Sequence, residues 1–170
     1  GQNLLQYLDQ QGEDQVFAIV RCGSRSLEAG SDGVQVLTVP DDGFASLAPR
    51  LQALAPFDVC FHLASYGVNQ DCQQSDALVE GNVTLTLRLL EVLGQQSPGC
   101  RVVFLSTGHV YGRCAQMRVD ESVLPRPISM YGAAKLATED IGRVRAAQLG
   151  LSWLVLRLFA SYGPHEGLHK

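Results

Sequence analysis

The sequence is poor in several features, and each shortage closes a class of function. No apolar run approaches the ~18–20 residues that cross a bilayer as a helix, so no membrane span is predicted. Basic residues are few: 13 Lys and Arg stand against 17 Asp and Glu, for a net charge of −4. They are scattered along the chain, which disfavours a nucleic-acid surface or a polybasic patch for anionic lipid. The five cysteines, Cys22, Cys60, Cys72, Cys100 and Cys114, are odd in number, far apart and without a C-x-x-C spacing. That pattern predicts reduced thiols in a cytoplasmic protein, with neither a disulfide framework nor a zinc site. Cys72 and Cys114 are read as inert thiols. His109, His165 and His169 match no ligand spacing, so no metal is expected.

What is present describes an ordinary globular chain. At 170 residues, 46% hydrophobic, with a mean hydropathy of +0.05, it has the size and composition of one domain with a proper core. Short continuous apolar runs at 16–20, 34–39, 58–64, 101–106 and 153–158 read as strands buried on both faces. Helical periodicity covers 3–11, 44–54, 71–94 and 129–149, punctuated by Gly12, Ser97-Pro98-Gly99 and Gly150. Strands alternating with helices at this spacing imply crossover connections. The predicted fold is a doubly wound α/β sheet with helices on both faces.

In such a sheet the ligand sits beyond the carboxyl ends of the strands. Arg21, Asp41, Ala64-Ser65, Thr107 and Phe159-Ala160 all fall there and mark one rim. The stretch Ser106 to Lys135 adds chemistry to it. Tyr131 and Lys135 are four apart, so on a helix they share one face about 5–6 Å apart. An ammonium at that distance favours the phenolate, which is how a tyrosine becomes a general acid/base near neutral pH.

Several motifs then recur in a fixed order. Phe61-His62-Leu63-Ala64 follows a strand opened by Asp58, and Asn82-Val83 lies on the next helix. Leu105-Ser106-Thr107 precedes Val110-Tyr111-Gly112. Pro127-x-x-x-Tyr131-Gly132-x-x-Lys135-Leu136-x-x-Glu139 is followed by Leu156-Arg157-Leu158-Phe159 and Tyr162-Gly163-Pro164. Over essentially the whole chain this order resembles the extended short-chain dehydrogenases/reductases, the NAD-dependent epimerase/dehydratase group. The resemblance implies Tyr131 as general acid/base, Lys135 as the residue holding the nicotinamide ribose, and Thr107 as the hydrogen-bond partner of the reacting oxygen. It also implies that Leu63, Ala64, Ser65 and Asn82 line the cofactor, with Asp41 and Phe159 on the same rim. For His62 and Asn82 a second reading stays open, that of satisfied polar groups at a helix–sheet junction.

Three departures from the family pattern shape the expectation. The Gly-x-x-Gly-x-x-Gly phosphate loop is absent, and Gly1, ahead of the 3–11 helix, looks like its last glycine. The sequence is therefore expected to be a fragment, residues 1–170 of a dinucleotide-binding domain whose first strand and glycine-rich loop, like the C-terminal substrate domain, lie outside it. Arg21, with Ser24 and Arg25 behind it, replaces the acidic residue expected after the second strand. A guanidinium suits a 2′-phosphate, so NADP(H) is favoured and NAD(H) left open, with solvated loop arginines as the alternative. Finally, Gly108-His109 stand where dehydratases carry Asp-Glu, which disfavours dehydration, and Ala160 stands where many sugar-nucleotide enzymes carry Asn.

The expected function is that of an NADP(H)-dependent reductase or epimerase acting on a nucleotide-linked keto-sugar. A reductase or dehydrogenase of the same family acting on a steroid-like or phenolic ketone is the second expectation. A non-catalytic dinucleotide-binding module is the third. A homodimer through helices 71–94 and 129–149 is also expected.

Overall fold

The structure, a computed structural model, describes residues 1–21, 33–39, 44–68, 74–115 and 118–160; for Arg21 and residues 44–46 it describes the backbone alone. It divides into two units, Gly1–Arg50 and Leu51–Ser161. In the first, α1 (Gln2–Gln11) leads into β1 (Val16–Arg21). It stops at Gly12, whose φ of 65° is left-handed and whose N–H returns to Asp9 O; glycine takes this conformation without a Cβ penalty. β1 pairs in parallel with β2 (Val34–Val39), Val16 opposite Val34 through Arg21 opposite Val39. α2 (Phe44–Leu54) follows.

The second unit carries the chemistry. β3 (Val59–His62), β4 (Arg101–Thr107) and β5 (Ser152–Leu158) form a parallel sheet in the order β3-β4-β5. Between β3 and β4 lie α3 (Ser75–Leu78), a π-helical segment (Val79–Thr84) and α4 (Leu85–Gln96); between β4 and β5 lies α5 (Met130–Gln148). The alternation read from the sequence is thus realised, and the chain is α/β with parallel strands joined by helical crossovers.

β4 is the middle strand and the most buried. Phe104, 1% exposed, stacks on Trp153 of β5 at 5.1 Å and 18°. α5 reaches this layer because residue 142 is glycine: a Cβ there would lie 2.5 Å from Cζ2 of Trp153. Gly94 of α4 does the same for Leu149, where a Cβ would come within 2.8 Å. Leu78, Leu90, Leu93 and Ala146 complete the buried layer between the helices and this face of the sheet. On the opposite face, Phe61 of β3 and Leu154, Leu156 and Leu158 of β5 are between 42% and 49% exposed.

One element differs from its expectation. The periodicity of 71–94 predicts a single α-helix, yet the turn from Val79 to Thr84 is π. The cause is local. Asn82 Nδ2 donates to Leu78 O at 2.9 Å, and Thr86 Oγ1 donates to Asn82 O at 2.5 Å. Side chains take up backbone carbonyls at the widened turn, and apolar spacing does not register such a bulge. Among the described residues Cys60, Cys100 and Cys114 are free thiols. Burial pushes the Cys60 thiol up to about 12, which leaves it inert at neutral pH.

Candidate active site

The carboxyl end of β4 runs directly into a 3-10 turn, Gly108–Tyr111. Thr107, the last residue of the strand, caps that turn: its Oγ1 accepts the N–H of His109 at 3.3 Å. The bond occupies a lone pair and leaves the Thr107 hydroxyl hydrogen available. Gly108 has no room for a side chain, because a Cβ would lie 2.7 Å from the ring of Phe159. That ring, 53% exposed just past β5, also stacks on Tyr111 at 6.0 Å and 16°.

α5 begins where Ser129, in extended conformation, turns its hydroxyl to accept the N–H of Gly132 at 3.1 Å. Hydroxyl residues favour this N-cap position because they satisfy an otherwise unpaired N–H of the first turn. Two residues on stands Tyr131, half-buried, its ring edge-on to that of His109 at 6.0 Å. Lys135 follows one turn later, 1% exposed, with Nζ 4.0 Å from the Phe104 ring centroid and no hydrogen-bond partner among the described residues. Burial pulls its ammonium down from the ordinary 10.5 to about 8, against the opposing pull of Glu139. A desolvated cation with only a ring face for company is a costly thing to keep.

The third wall is the loop after β3. Asn82 holds it: Oδ1 accepts the N–H of Tyr66 at 3.2 Å and Nδ2 donates to Tyr66 O at 3.0 Å. Ser65 Oγ lies 3.3 Å from Asn82 Oδ1 and 3.2 Å from Tyr131 OH. His62 is buried beneath. Thr86 gives its one hydrogen to Asn82 O, so the 2.8 Å contact between His62 Nε2 and Thr86 Oγ1 has His62 as donor. Either charge state of the ring could make that bond; burial, together with Lys135, pushes His62 down to about 4 and so favours the neutral imidazole. The two polar residues left open in the sequence, His62 and Asn82, are both hydrogen-bonded within the protein.

Below these groups lies a buried network that the sequence reading did not count as part of the site. Ser106 Oγ donates to Glu139 Oε1. Arg157 Nη2 and Nε reach Glu139 Oε2 at 2.7 and 3.1 Å, and Arg157 Nη1 donates to Tyr111 OH at 2.8 Å. Glu139 is 5% exposed. The carboxylate holds the guanidinium firmly charged. One signal was available: Glu139 follows Lys135 at the same four-residue spacing that links Lys135 to Tyr131.

Thr107, Tyr131, Lys135, Ser65 and Asn82 thus gather at the carboxyl ends of β3 and β4 and the first turns of α5. Leu63, half-buried, and Ala64, exposed, lie in the same β3 loop. Gly1 belongs to the first unit, where it is exposed and its carbonyl accepts the N–H of Leu5 at 3.0 Å. Arg21 ends β1. Ser24, Arg25 and Asp41 lie outside the described residues. No group of three or more potential metal ligands occurs among the described residues.

Comparison with known proteins adds to this geometry. The family model described as NAD dependent epimerase/dehydratase matches residues 1–170. A UDP-glucuronate 4-epimerase of Arabidopsis thaliana is 33% identical over 122 residues, which is 71% of this chain and 28% of that protein. The crystal structure of a Bacillus cereus UDP-glucuronic acid 4-epimerase in complex with NAD superposes with a TM-score of 0.80 at 28% identity, covering 98% of this chain and 54% of that one. A Thermotoga maritima UDP-glucose 4-epimerase, solved with UDP-glucose, gives 0.82 at 25% identity, covering 100% and 55%. The chain therefore spans about half the length of the solved relatives and less of the curated one.

The orphaned ammonium yields a stability prediction. Lys135→Met keeps the length of the side chain and removes the buried charge. It should raise the unfolding free energy by about 1–3 kcal/mol at pH 7. The folded-state midpoint of Lys135, about 8, lies below its ordinary 10.5. Between those values the unfolded chain binds more protons, so wild-type stability should rise with pH and close the gap to the Met variant. Urea unfolding of both proteins at pH 7 and pH 10 checks this; curves separated equally at both values would refute it.

Proposed function

Because the chain belongs to the NAD dependent epimerase/dehydratase family, we propose that it forms the dinucleotide-binding part of an enzyme that epimerises a nucleotide-linked sugar. The observation that carries this reading is Lys135: a buried ammonium with no hydrogen-bond partner among the described residues, one turn from a half-buried tyrosine. The hydroxyls of a nicotinamide ribose are the acceptors such a cation lacks. The named relatives, 4-epimerases of UDP-glucuronic acid and UDP-glucose, support the substrate class.

The dinucleotide, when bound, supplies a carbon that accepts and returns a hydride. The rest of the chemistry falls to this chain. Tyr131 takes the proton from the sugar hydroxyl as the carbon is oxidised and returns it to the same oxygen afterwards. Thr107, whose hydroxyl hydrogen is free, donates to that oxygen and holds it in place. Lys135 carries its charge one turn from Tyr131 and fixes the ribose. Leu63, Ala64 and Ser65 line the cofactor, and Asn82 contributes through the loop it braces. Phe159 fills the space beside Gly108, so no carboxylate stands next to Thr107 to assist elimination of water. Epimerisation returns its hydride to the sugar, so nicotinamide absorbance should stay constant during turnover; a net reductase would consume the reduced form.

The expectation of NADP(H) from Arg21, Ser24 and Arg25 gives way here to NAD(H). The family is described by its dependence on NAD, and the Bacillus cereus relative was solved with NAD. The homodimer is also part of the proposal. Ile141 and Val144 on α5 are 42% and 48% exposed and line, with Leu87 of α4, an apolar groove of about 370 Å³. No described helix is long and apolar enough to cross a membrane, and a cytoplasmic location, expected from the cysteine pattern, belongs to the same proposal.

Three measurements on the full-length protein test these points. Tyr131→Phe should lower kcat on UDP-glucuronic acid by about two to four orders of magnitude while NAD still binds; full turnover would end the mechanism. Fluorescence titration should give tighter binding for NADH than for NADPH, and the reverse order would reinstate the arginine reading. Ile141→Glu should convert a dimer to a monomer by light scattering, whereas an unchanged mass would remove α5 from the interface.

A further inference from the structure

The loop after β3 turns a serine hydroxyl onto the tyrosine of α5. Ser65 Oγ lies 3.2 Å from Tyr131 OH and 3.3 Å from Asn82 Oδ1. Ser65 has one hydrogen for these two oxygens. The orientation of the Asn82 amide is set by its other bonds, since Nδ2 serves Tyr66 O and Leu78 O while Oδ1 accepts the N–H of Tyr66. Oδ1 is thus an acceptor only, held at one side of Ser65.

The two states of Tyr131 then demand opposite things of Ser65. A neutral phenol can donate to Ser65 Oγ while Ser65 passes its own hydrogen to Asn82. A phenolate can only accept, and the Ser65 hydroxyl can turn to it by rotation about one bond. Hydrogen bonds to an ionised oxygen are roughly twice as strong as those between neutral groups. The bond given up is the longer one, and Asn82 Oδ1 keeps the N–H of Tyr66. The exchange favours the phenolate.

We propose that Ser65 is a positioning residue for the acid/base tyrosine, a hydroxyl that switches between Asn82 and Tyr131 as the tyrosine loses and regains its proton. The proposal rests on the reading of Tyr131 given above. The transferred proton passes between Tyr131 and the sugar oxygen. Ser65 exchanges only hydrogen-bond partners, so no bond to it is made or broken and no further reactant is needed.

The other groups around Tyr131 are distinct from this one. From its own helix come Lys135 one turn on and Glu139 two turns on. From the 3-10 turn comes His109, its ring 6.0 Å from that of Tyr131. The β3 loop offers Ser65 and, next to it, Tyr66; the π segment offers the neutral Asn82. Lys135, pulled down to about 8 by burial, is the neighbour whose own titration could mimic the effect, so the test is run in a Lys135→Met background as well.

Full-length protein without added nucleotide or sugar is titrated by phenolate absorbance, with Tyr131→Phe as the reference spectrum. Ser65→Ala should move the ionisation midpoint of Tyr131 upward by about one pH unit. Ser65→Thr, which keeps the hydroxyl, should stay near wild type. Turnover of UDP-glucuronic acid by Ser65→Ala should fall about tenfold on the acid side of the pH profile and recover at higher pH, with KM unchanged. An unmoved midpoint in the alanine variant, or an equal displacement in the threonine variant, overturns the proposal. Full turnover by Tyr131→Phe would instead overturn the acid/base reading, and the Ser65→Ala titration would still decide the role of Ser65.

Discussion

The constraint on which the second unit depends is the buried pair of Glu139 and Arg157. A carboxylate in the interior is tolerated only when its lone pairs are used and its charge is met. Here Ser106 of β4 and the guanidinium of β5 do both, and the guanidinium then reaches on to Tyr111. Four segments are tied through two side chains: the end of β4, the 3-10 turn, α5 and β5. Each of them carries or abuts a site residue. Thr107 follows Ser106 directly, Lys135 lies one turn before Glu139, and Phe159 follows two residues after Arg157. The positions of Thr107, Lys135 and Phe159 are therefore inherited from one buried ion pair.

Lys135 contrasts with this pair. Glu139 is fully satisfied, whereas the ammonium one turn away has only an aromatic face. One charge is spent within the fold, while the other has hydrogen-bonding capacity that the described residues do not use. Asn82 shows the structural kind again, spending every amide function on Tyr66, Leu78 and Ser65, and the π turn in which it sits is where its side chain meets Leu78 O. Rigid, saturated groups surround a small number of unsaturated ones.

Much of this was legible in the sequence. Continuous apolar runs betray the strands of a parallel sheet, although one face of β3 and β5 is half exposed and not buried as expected; the four-residue step from Tyr131 to Lys135 is a local relation that needs no tertiary knowledge. Thr107 is legible for a similar reason, as a hydroxyl residue closing an apolar strand. The contact of Ser65 with Tyr131 is not legible, because 66 positions separate them and only the packing of α5 against the β3 loop joins them. Arg157 stands in the same position: within an alternating strand a lone cation carries no sign of the partner it finds 18 residues back. The π turn escapes because apolar periodicity reports which side faces the core, not how many residues make the turn. The reading of Arg21 as a phosphate ligand rests on residue type at a strand end alone.

The ring of Phe159 couples position 108 to the buried ion pair. It occupies the space that any side chain at position 108 would need, and it stacks on Tyr111, which in turn holds Arg157. A carboxylate at position 108 therefore requires the Phe159 ring to move. Phe159 must first be displaced or shrunk, and that step loosens Tyr111 and the ion pair behind it before any new chemistry is gained. Phe159, Tyr111 and Arg157 thus form one chain of contacts, through which a change at position 108 is felt as far as β5 and α5.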